Sequence, residues 1–507
     1  MEMFALNKEL DRLESVLSSL TGAARLEVLV ALAWHLRQRD TRRSLAFADE
    51  ADGLLIEFTF PESDFKQASS RILLIRGEAK WLFGGLAAAG SLAERALKDF
   101  ALAEDYIGSA DAHWLLAEIA SDSGKMDQNA SHLALAASHA QQSNDCARIS
   151  ITKAAIARSA ILFNFPVAKT QWDAQFNSDE LTISPSVNAC VNDFLGLAAH
   201  QSSDFGKSVA HWLITYEASM QTGQIRRAIT AATNIGDDFS NVGDHHAALE
   251  WVQRALEMAR VTGWPVSIGD SLDATAATLR HLEQLEDALK LQRSALTTLT
   301  PLAGSRDYAI ALRNFGDLML DMADYRSALE IFRQLLDRAV ALHQVDFQSM
   351  ARRGMAHALL KLDRPEEALV EASHALTSAI EQSDLFRQID ALKVMAEIYS
   401  VHSLPYPPNM TAASPSLHYL LQAQILSNAI GANSKSSELL DAIAVAYANT
   451  GDYKNAFQSM QQSNEARKKK QSLESKNRAM AFKVVRNSEH ARLAGERHLR
   501  LMQEEEK

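Results

Sequence analysis

Glycine and proline are scarce in this 507-residue chain, at 21 and 10 residues; an average protein of the length carries roughly 60 of the two together. Loops and β-turns consume those residues, so their shortage disfavours a strand-rich fold and favours long helices joined by short turns. Cysteine is nearly absent. Cys146 and Cys190 cannot build a disulfide framework, and a reduced compartment is the simplest setting. Long apolar runs are missing too: the longest near-apolar stretch, Trp81 to Gly90, is too short and too glycine-rich to span a bilayer. The opening Met1-Glu-Met-Phe-Ala-Leu-Asn-Lys-Glu-Leu10 starts acidic and lacks the basic start and apolar run of a signal peptide. A soluble, cytoplasmic protein without membrane insertion is expected. The net charge of −12 argues against a nucleic-acid-binding body.

What is present is a repeat. Gly196, Gly236, Ala276, Gly316, Ala356 and Ala396 follow one another at 40-residue steps. Three residues beyond each stand Ala199, Phe239, Leu279, Met319, Leu359 and Tyr399. Twelve beyond the first five come Ser208, Ala248, Ala288, Ala328 and Ala368, each followed by Val or Leu. Pairs such as Ala255-Leu256, Ala295-Leu296 and Ala375-Leu376 close the units. Length alone suggests about three domains, but a chain built of one recurring unit escapes that count.

The spacing has a physical meaning. Apolar and small residues at three- and four-residue steps, as in Ile235-Gly236-Phe239, mark one face of a helix. A turn signal follows, such as Asn241-Val-Gly-Asp244 or Leu362-Asp-Arg-Pro365, and then a second helix. Small residues let the two helices of a hairpin approach, and large ones fill the space between hairpins. A hairpin cannot bury its apolar face alone, so stacking is obligatory.

The order Ile235-Gly236-x-x-Phe239-x-x-x-Gly243…Ala248…Ala255 resembles the tetratricopeptide repeat (TPR), with a longer unit. The resemblance implies an all-α fold: a right-handed TPR-like solenoid of antiparallel helix pairs. A further unit around Gly451-Asp-Tyr453 is displaced by eight residues, Ala396 to Ala444. The excess falls in a proline-rich insertion at 404–415, read as a loop inside one repeat. Residues 1–190 hold degenerate repeats, 191–463 the regular 40-residue period, and the whole amounts to roughly nine to eleven helix pairs.

Residues 464–507 differ in kind. They contain no proline and one glycine, with 12 Lys and Arg against 7 Asp and Glu, a net charge of +5 that leaves −17 for the rest. A long charged helix is expected. Leu473, Met480, Val484, Ala491, Ala494 and Leu501 form a thin stripe broken by Asn477 and Asn487. It suits either an exposed capping helix or a coiled coil that makes a homodimer. Residues 32–51 and 478–498 also look like bacterial TPR proteins that end in a diguanylate cyclase (GGDEF) domain. In that architecture the repeats are sensory and such a helix couples them to the cyclase. No Gly-Gly-Asp/Glu-Glu-Phe signature occurs here, so no cyclase activity is carried over.

Catalytic and metal motifs do not hold up. Gly206-Lys207-Ser208 lacks the glycine five residues earlier that a phosphate loop needs, since position 201 is Gln. His245 and His246 are adjacent, so on a helix they point about 100° apart, and no ligand spacing supports them. No enzyme activity, cofactor or metal is expected. The best functional constellation is a row of polar residues beside the small register of first helices, where repeat proteins line a concave surface. Asn234 and Asp237 recur two units later as Asn314 and Asp317, with Arg313 adjacent; Arg353, His357 and Lys393 continue the row. In the TPR family an Asn at this offset holds a peptide backbone, because its amide both donates and accepts. Arginine and lysine suit a carboxylate. A solvated charged face is the alternative. The reading is a non-catalytic protein- or peptide-binding module in bacterial signalling; its rivals are the sensory part of a cyclase protein and a passive scaffold.

Overall fold

The computed structural model describes residues 1–163, 165–176, 184–430 and 437–505, apart from the side chains at 162, 163, 166, 173, 174, 491, 492 and 494–505. Among the described residues it is all-α: 23 α-helices, two short 3₁₀ turns and no strand. After α1 (Asn7–Ser19) come pairs: α2 and α3 (Leu26–Leu36, Thr41–Glu57), α4 and α5 (Glu62–Leu82, Leu86–Leu102), α6 and α7 (Tyr106–Asp122, Met126–Gln142), α8 and α9 (Cys146–Phe163, Phe165–Phe176). The series continues with α10 and α11 (Pro185–Gln201, Phe205–Thr222), α12 and α13 (Ile225–Asn241, His245–Thr262), α14 and α15 (Pro265–His281, Leu285–Leu299). It ends with α16 and α17 (Arg306–Asp321, Tyr325–Ala341), α18 and α19 (Val345–Lys361, Pro365–Glu381), α20 and α21 (Leu385–Val401, Pro415–Ile430), α22 (Ser437–Asn449) and α23 (Tyr453–Glu505). The prolines at 405, 407 and 408 lie between α20 and α21.

Each regular unit resolves into two long helices joined by short turns, as in α12 and α13. Ser203, Gly243, Glu283, Ala323 and Asp363, one per repeat, take the left-handed conformation that ends the first helix of a pair. Only Gly243 adopts it without steric cost. At that turn the Asp244 amide donates to the Phe239 carbonyl at 2.9 Å, and the Asp244 carboxylate accepts the Ala247 amide at 3.1 Å, which starts the next helix. Asp40, Asp105, Asp324 and Asp384 cap their helices in the same way. The unit is longer than an ordinary tetratricopeptide repeat because both helices are longer.

The small register is explained by contact across the pair. A methyl built on Gly196 would meet the Trp212 ring at 2.8 Å, one on Gly236 the Val252 side chain at 2.6 Å, and one on Gly316 the Phe332 ring at 2.5 Å. In each case the partner stands at the equivalent place of the second helix.

The chain divides into two compact units: residues 1–282, 297–307 and 476–507 form the first, and 283–296 with 308–475 the second. The latter part of α23 belongs to the first unit and packs there. Asn477, which breaks the apolar stripe in the sequence, is 6% exposed and donates to the Ser203 carbonyl at 3.2 Å. Arg478, the next residue, donates to the Val242 carbonyl from Nε at 3.2 Å. Two successive repeat turns are thus capped by consecutive residues of α23. Ala481 is 1% exposed, Val484 and Val485 pack on the first unit's core, and Met480 covers Gly206. Ala491, Ala494 and Leu501 have side chains outside the described residues.

Candidate functional site: the first-helix face of the first unit

First helices of neighbouring pairs lie side by side, so residues about one repeat apart meet. Opposite charges placed at that spacing form a ladder. Arg37 Nε reaches Glu78 at 2.7 Å and Gln38 reaches the same carboxylate at 2.8 Å. Arg71 pairs with Asp111 at 2.7 Å, Trp81 Nε1 donates to Asp122 at 2.8 Å, and His200 meets Asp238 at 2.6 Å. Arg148 completes the buried centre, with Nε and Nη2 both 2.9 Å from Asp111. Burial pushes the Asp111 carboxyl up, but the Arg148 and Arg71 guanidiniums outweigh it and hold it below the usual carboxylate range.

This face carries a short non-helical segment of the chain itself, bent at Met3 and Phe4. Residues 1–5 precede α1 and adopt no helix or strand. Their carbonyls are taken by side chains: Met1 by Arg148 Nη1 at 3.2 Å, Glu2 by Trp34 Nε1 at 2.9 Å, Met3 by Arg37 Nη2 at 2.9 Å, and Ala5 by Arg39 Nη2. Met3, Phe4 and Ala5 are 5%, 7% and 0% exposed. Met3 and Phe4 enter an apolar cluster with Ile151, Ala154, Val187 and Cys190. The Arg37 guanidinium lies between the rings of Phe4 and Trp34, 4.6 and 3.8 Å from their centres. Cationic side chains here serve as fixed donors to peptide carbonyls.

Beside Phe4 the face opens into a cavity of about 280 Å³. Its walls include Trp81, Trp114, Glu118, Asp122, Arg158, Asp193, Arg226, Arg227, Asp270 and Asp307, and so draw on first helices from α4 to α16. Arg227 pairs with Asp193, and Arg158 Nε lies 3.1 Å from the same carboxylate without the alignment of a hydrogen bond. Burial raises the carboxyls of Glu118, Asp270 and Asp307; Asp122 adds to the effect at Asp307, which reaches about 6. Burial also pushes the Cys190 thiol up to about 11, which leaves it protonated and a poor nucleophile near neutrality.

The eight residues expected to line a groove fall in both units. Asn234 and Asp237 lie on α12 in the first unit, with Asp237 exposed and 3.9 Å from His200 Nε2. Arg313, Asn314 and Asp317 lie on α16, Arg353 and His357 on α18, and Lys393 on α20, all in the second unit. Arg313 donates to Asn314 at 2.7 Å; Arg353 is 3.6 Å from Asp390, and His357 is 3.6 Å from Glu397, which also holds Lys361. The phosphate-loop lookalike is a helix start: Ser208 donates to the Gly196 carbonyl at 3.0 Å, and Lys207 pairs with Asp204. His245 stacks on His281.

Arg37, Glu78, Arg71, Asp111 and Arg148 do not stand out in the sequence, because repeat registers in this region are weak. The available signal was opposite charge at about one repeat, as in Arg71 and Asp111, which are 40 residues apart.

Residues 271–339 match the family model of the tetratricopeptide repeat. No curated protein matches the sequence. Among solved structures, a Rap protein complexed with competence and sporulation factor is similar over 73% of this chain and 99% of its own, at 14% identity and a TM-score of 0.52. The apo quorum sensor NprR from B. thuringiensis is similar over 72% and 99%, at 16% identity and a TM-score of 0.48. Aspartyl phosphate phosphatase F from Bacillus subtilis is similar over 69% and 92%, at 10% identity and a TM-score of 0.44. The fold is TPR-like. Among the described residues no helix is long and apolar enough to cross a membrane.

Proposed function

We propose that the chain is a non-catalytic binding protein whose first-helix face in the first unit holds a peptide or protein segment. One observation carries this reading. Four side chains on that face, Arg148, Trp34, Arg37 and Arg39, already take the carbonyls of a short non-helical segment, whose apolar side chains are buried there. Main-chain capture by fixed side-chain donors, with sockets for side chains, is the physics of peptide recognition. The neighbouring cavity offers room for more of a ligand than residues 1–5 fill. The TPR-like fold supports the reading, and the Rap structure with TM-score 0.52 was solved with a bound factor.

The finer proposal is a cytoplasmic module of bacterial signalling. In it Asn234, Asp237, Arg313, Asn314, Asp317, Arg353, His357 and Lys393 extend recognition along other first helices. A sensory role in a diguanylate cyclase protein is the alternative, in which α23, held to two repeat turns by Asn477 and Arg478, would be the coupling helix. A cyclase domain encoded in the adjoining reading frame decides that point.

Ala155 lines the cavity, and Ala155→Trp fills it without removing a charge. Heptapeptides selected from a random display library on the full chain are expected to bind this variant at least ~10-fold more weakly, with an unchanged thermal melt. Equal binding sinks the assignment to this face. For the second row, Asn234→Ala with Asn314→Ala should change the partners captured from a lysate of the source cell while the fold survives.

A further inference from the structure

We propose that residues Met1–Ala5 are a displaceable internal occupant of this face, and that the external ligand is a short non-helical segment with two consecutive large apolar side chains followed by a small one. The inference rests on the binding reading above and adds the regulation and ligand chemistry of the same site.

The segment is held as a ligand is held. Among the described residues, no main-chain to main-chain hydrogen bond ties residues 1–5 to the protein. Every hydrogen bond to their carbonyls comes from a side chain of another element: α2, the turn after it, or α8. An integral part of a helical repeat would bury its polar backbone groups in a helix. Specificity sits in the sockets. Met3 and Phe4 share an apolar pocket built by α8 and α10, while Ala5 packs with Leu10 and Leu36 where space is small. Phe4 also forms one wall of the open cavity, so unfilled space adjoins the occupant at this side chain. A ligand that adds contacts there has a means of displacing it.

Attachment to α1 makes the occupant a strong competitor. A short tether gives an effective concentration of the order of millimolar, so an external copy of the same sequence binds poorly until the internal one is released. Release would also free Arg37 and Arg148, whose remaining partners Glu78 and Asp111 keep them in place.

The test uses the full chain and a synthetic peptide of residues 1–8 labelled at Lys8, titrated by fluorescence polarisation. In the variant with Met3→Ser and Phe4→Ser the internal segment loses its anchors. The peptide is expected to bind this variant at least ~10-fold more tightly than the unaltered chain, and Arg148→Gln added to it should reverse most of the gain. Phe4→Ala, a milder change, gives the same direction if the double variant does not fold. Equal affinity for both chains, or no binding to either, overturns internal occupancy. The library experiment then separates the two ideas. If selected heptapeptides still bind and Ala155→Trp weakens them, only the occupancy is wrong; if they bind regardless of Ala155→Trp, the face itself is wrong.

Discussion

Arg226 Nη2 lies 2.9 Å from both carboxylate oxygens of Asp122, a residue 104 positions earlier in the chain. The guanidinium also rests over Trp81, 4.3 Å from the ring centre, and Trp81 Nε1 donates to the same carboxylate. One ion pair therefore joins α4, α6 and α12. Glu118, Asp270 and Asp307 stand close enough to act on it or be acted on by it. Removing the cation leaves several carboxylates facing one another, whereas removing Asp122 leaves Arg226 with other anions nearby. Arg226→Ala should accordingly cost more than Asp122→Ala, by about 3 kcal/mol against 1–2. Urea unfolding of the two variants checks the order, and the reverse order refutes this account of the cluster.

Protonation of the same cluster has a definite sign. The Asp307 carboxyl sits at about 6 in the folded chain against an ordinary 3.8, raised by burial and by Asp122. The folded state thus holds a proton that the unfolded state has already released, and this group adds stability as pH falls from about 6 towards 4. Asp307→Asn should raise stability at pH 7.5, by about 1–3 kcal/mol, with the gain fading by pH 4. Burial lowers His35 to about 3 and His113 to about 4. Those two act oppositely: their contribution is complete above about 6.5 and is lost as pH falls towards their folded values. The Asp307 effect is therefore read as the difference between the two proteins at each pH.

The small register makes a packing prediction in the second unit. Methyls built on Gly316 and on Gly354 would meet the Phe332 ring at 2.5 and 2.4 Å, so one ring is clasped by glycines of two first helices. Gly316→Ala should destabilise by about 1–3 kcal/mol through overpacking. Adding Phe332→Leu should recover part of that loss. A double variant no better than the sum of the single changes removes the explanation.

Release of α23 should show as proteolytic access. Asn477→Ala with Arg478→Ala takes away the caps on the Ser203 and Val242 carbonyls, at about 1 kcal/mol each. Trypsin should then cut at Lys476, Lys483 and Arg486 several times faster than in the unaltered chain. Light scattering on the chain without residues 464–507 examines dimerisation separately, and an unchanged oligomeric state excludes a dimer made through this helix.

The all-α class, the helix pairs and the 40-residue unit were legible in the sequence because they follow from local rules. Small residues recur where two helices must touch, aspartates recur where helices start, and prolines gather where helices stop. The character of Asn477 was not legible. In a list of apolar positions an asparagine is a defect, and only the approach of the Ser203 carbonyl turns it into an anchor. The site was half legible for the same reason. Charges spaced by one repeat announce contacts between neighbouring first helices, such as Arg71 with Asp111. Asp122 with Arg226, and Met1 with Arg148, obey no period, since they depend on how far the first unit curls and on where a short non-helical segment lies. Periodic sequence determines nearest-neighbour packing. Which distant residues meet across the first unit, and which of its side chains hold residues 1–5, is decided by the accumulated rotation of many stacked pairs, a quantity that no single repeat encodes.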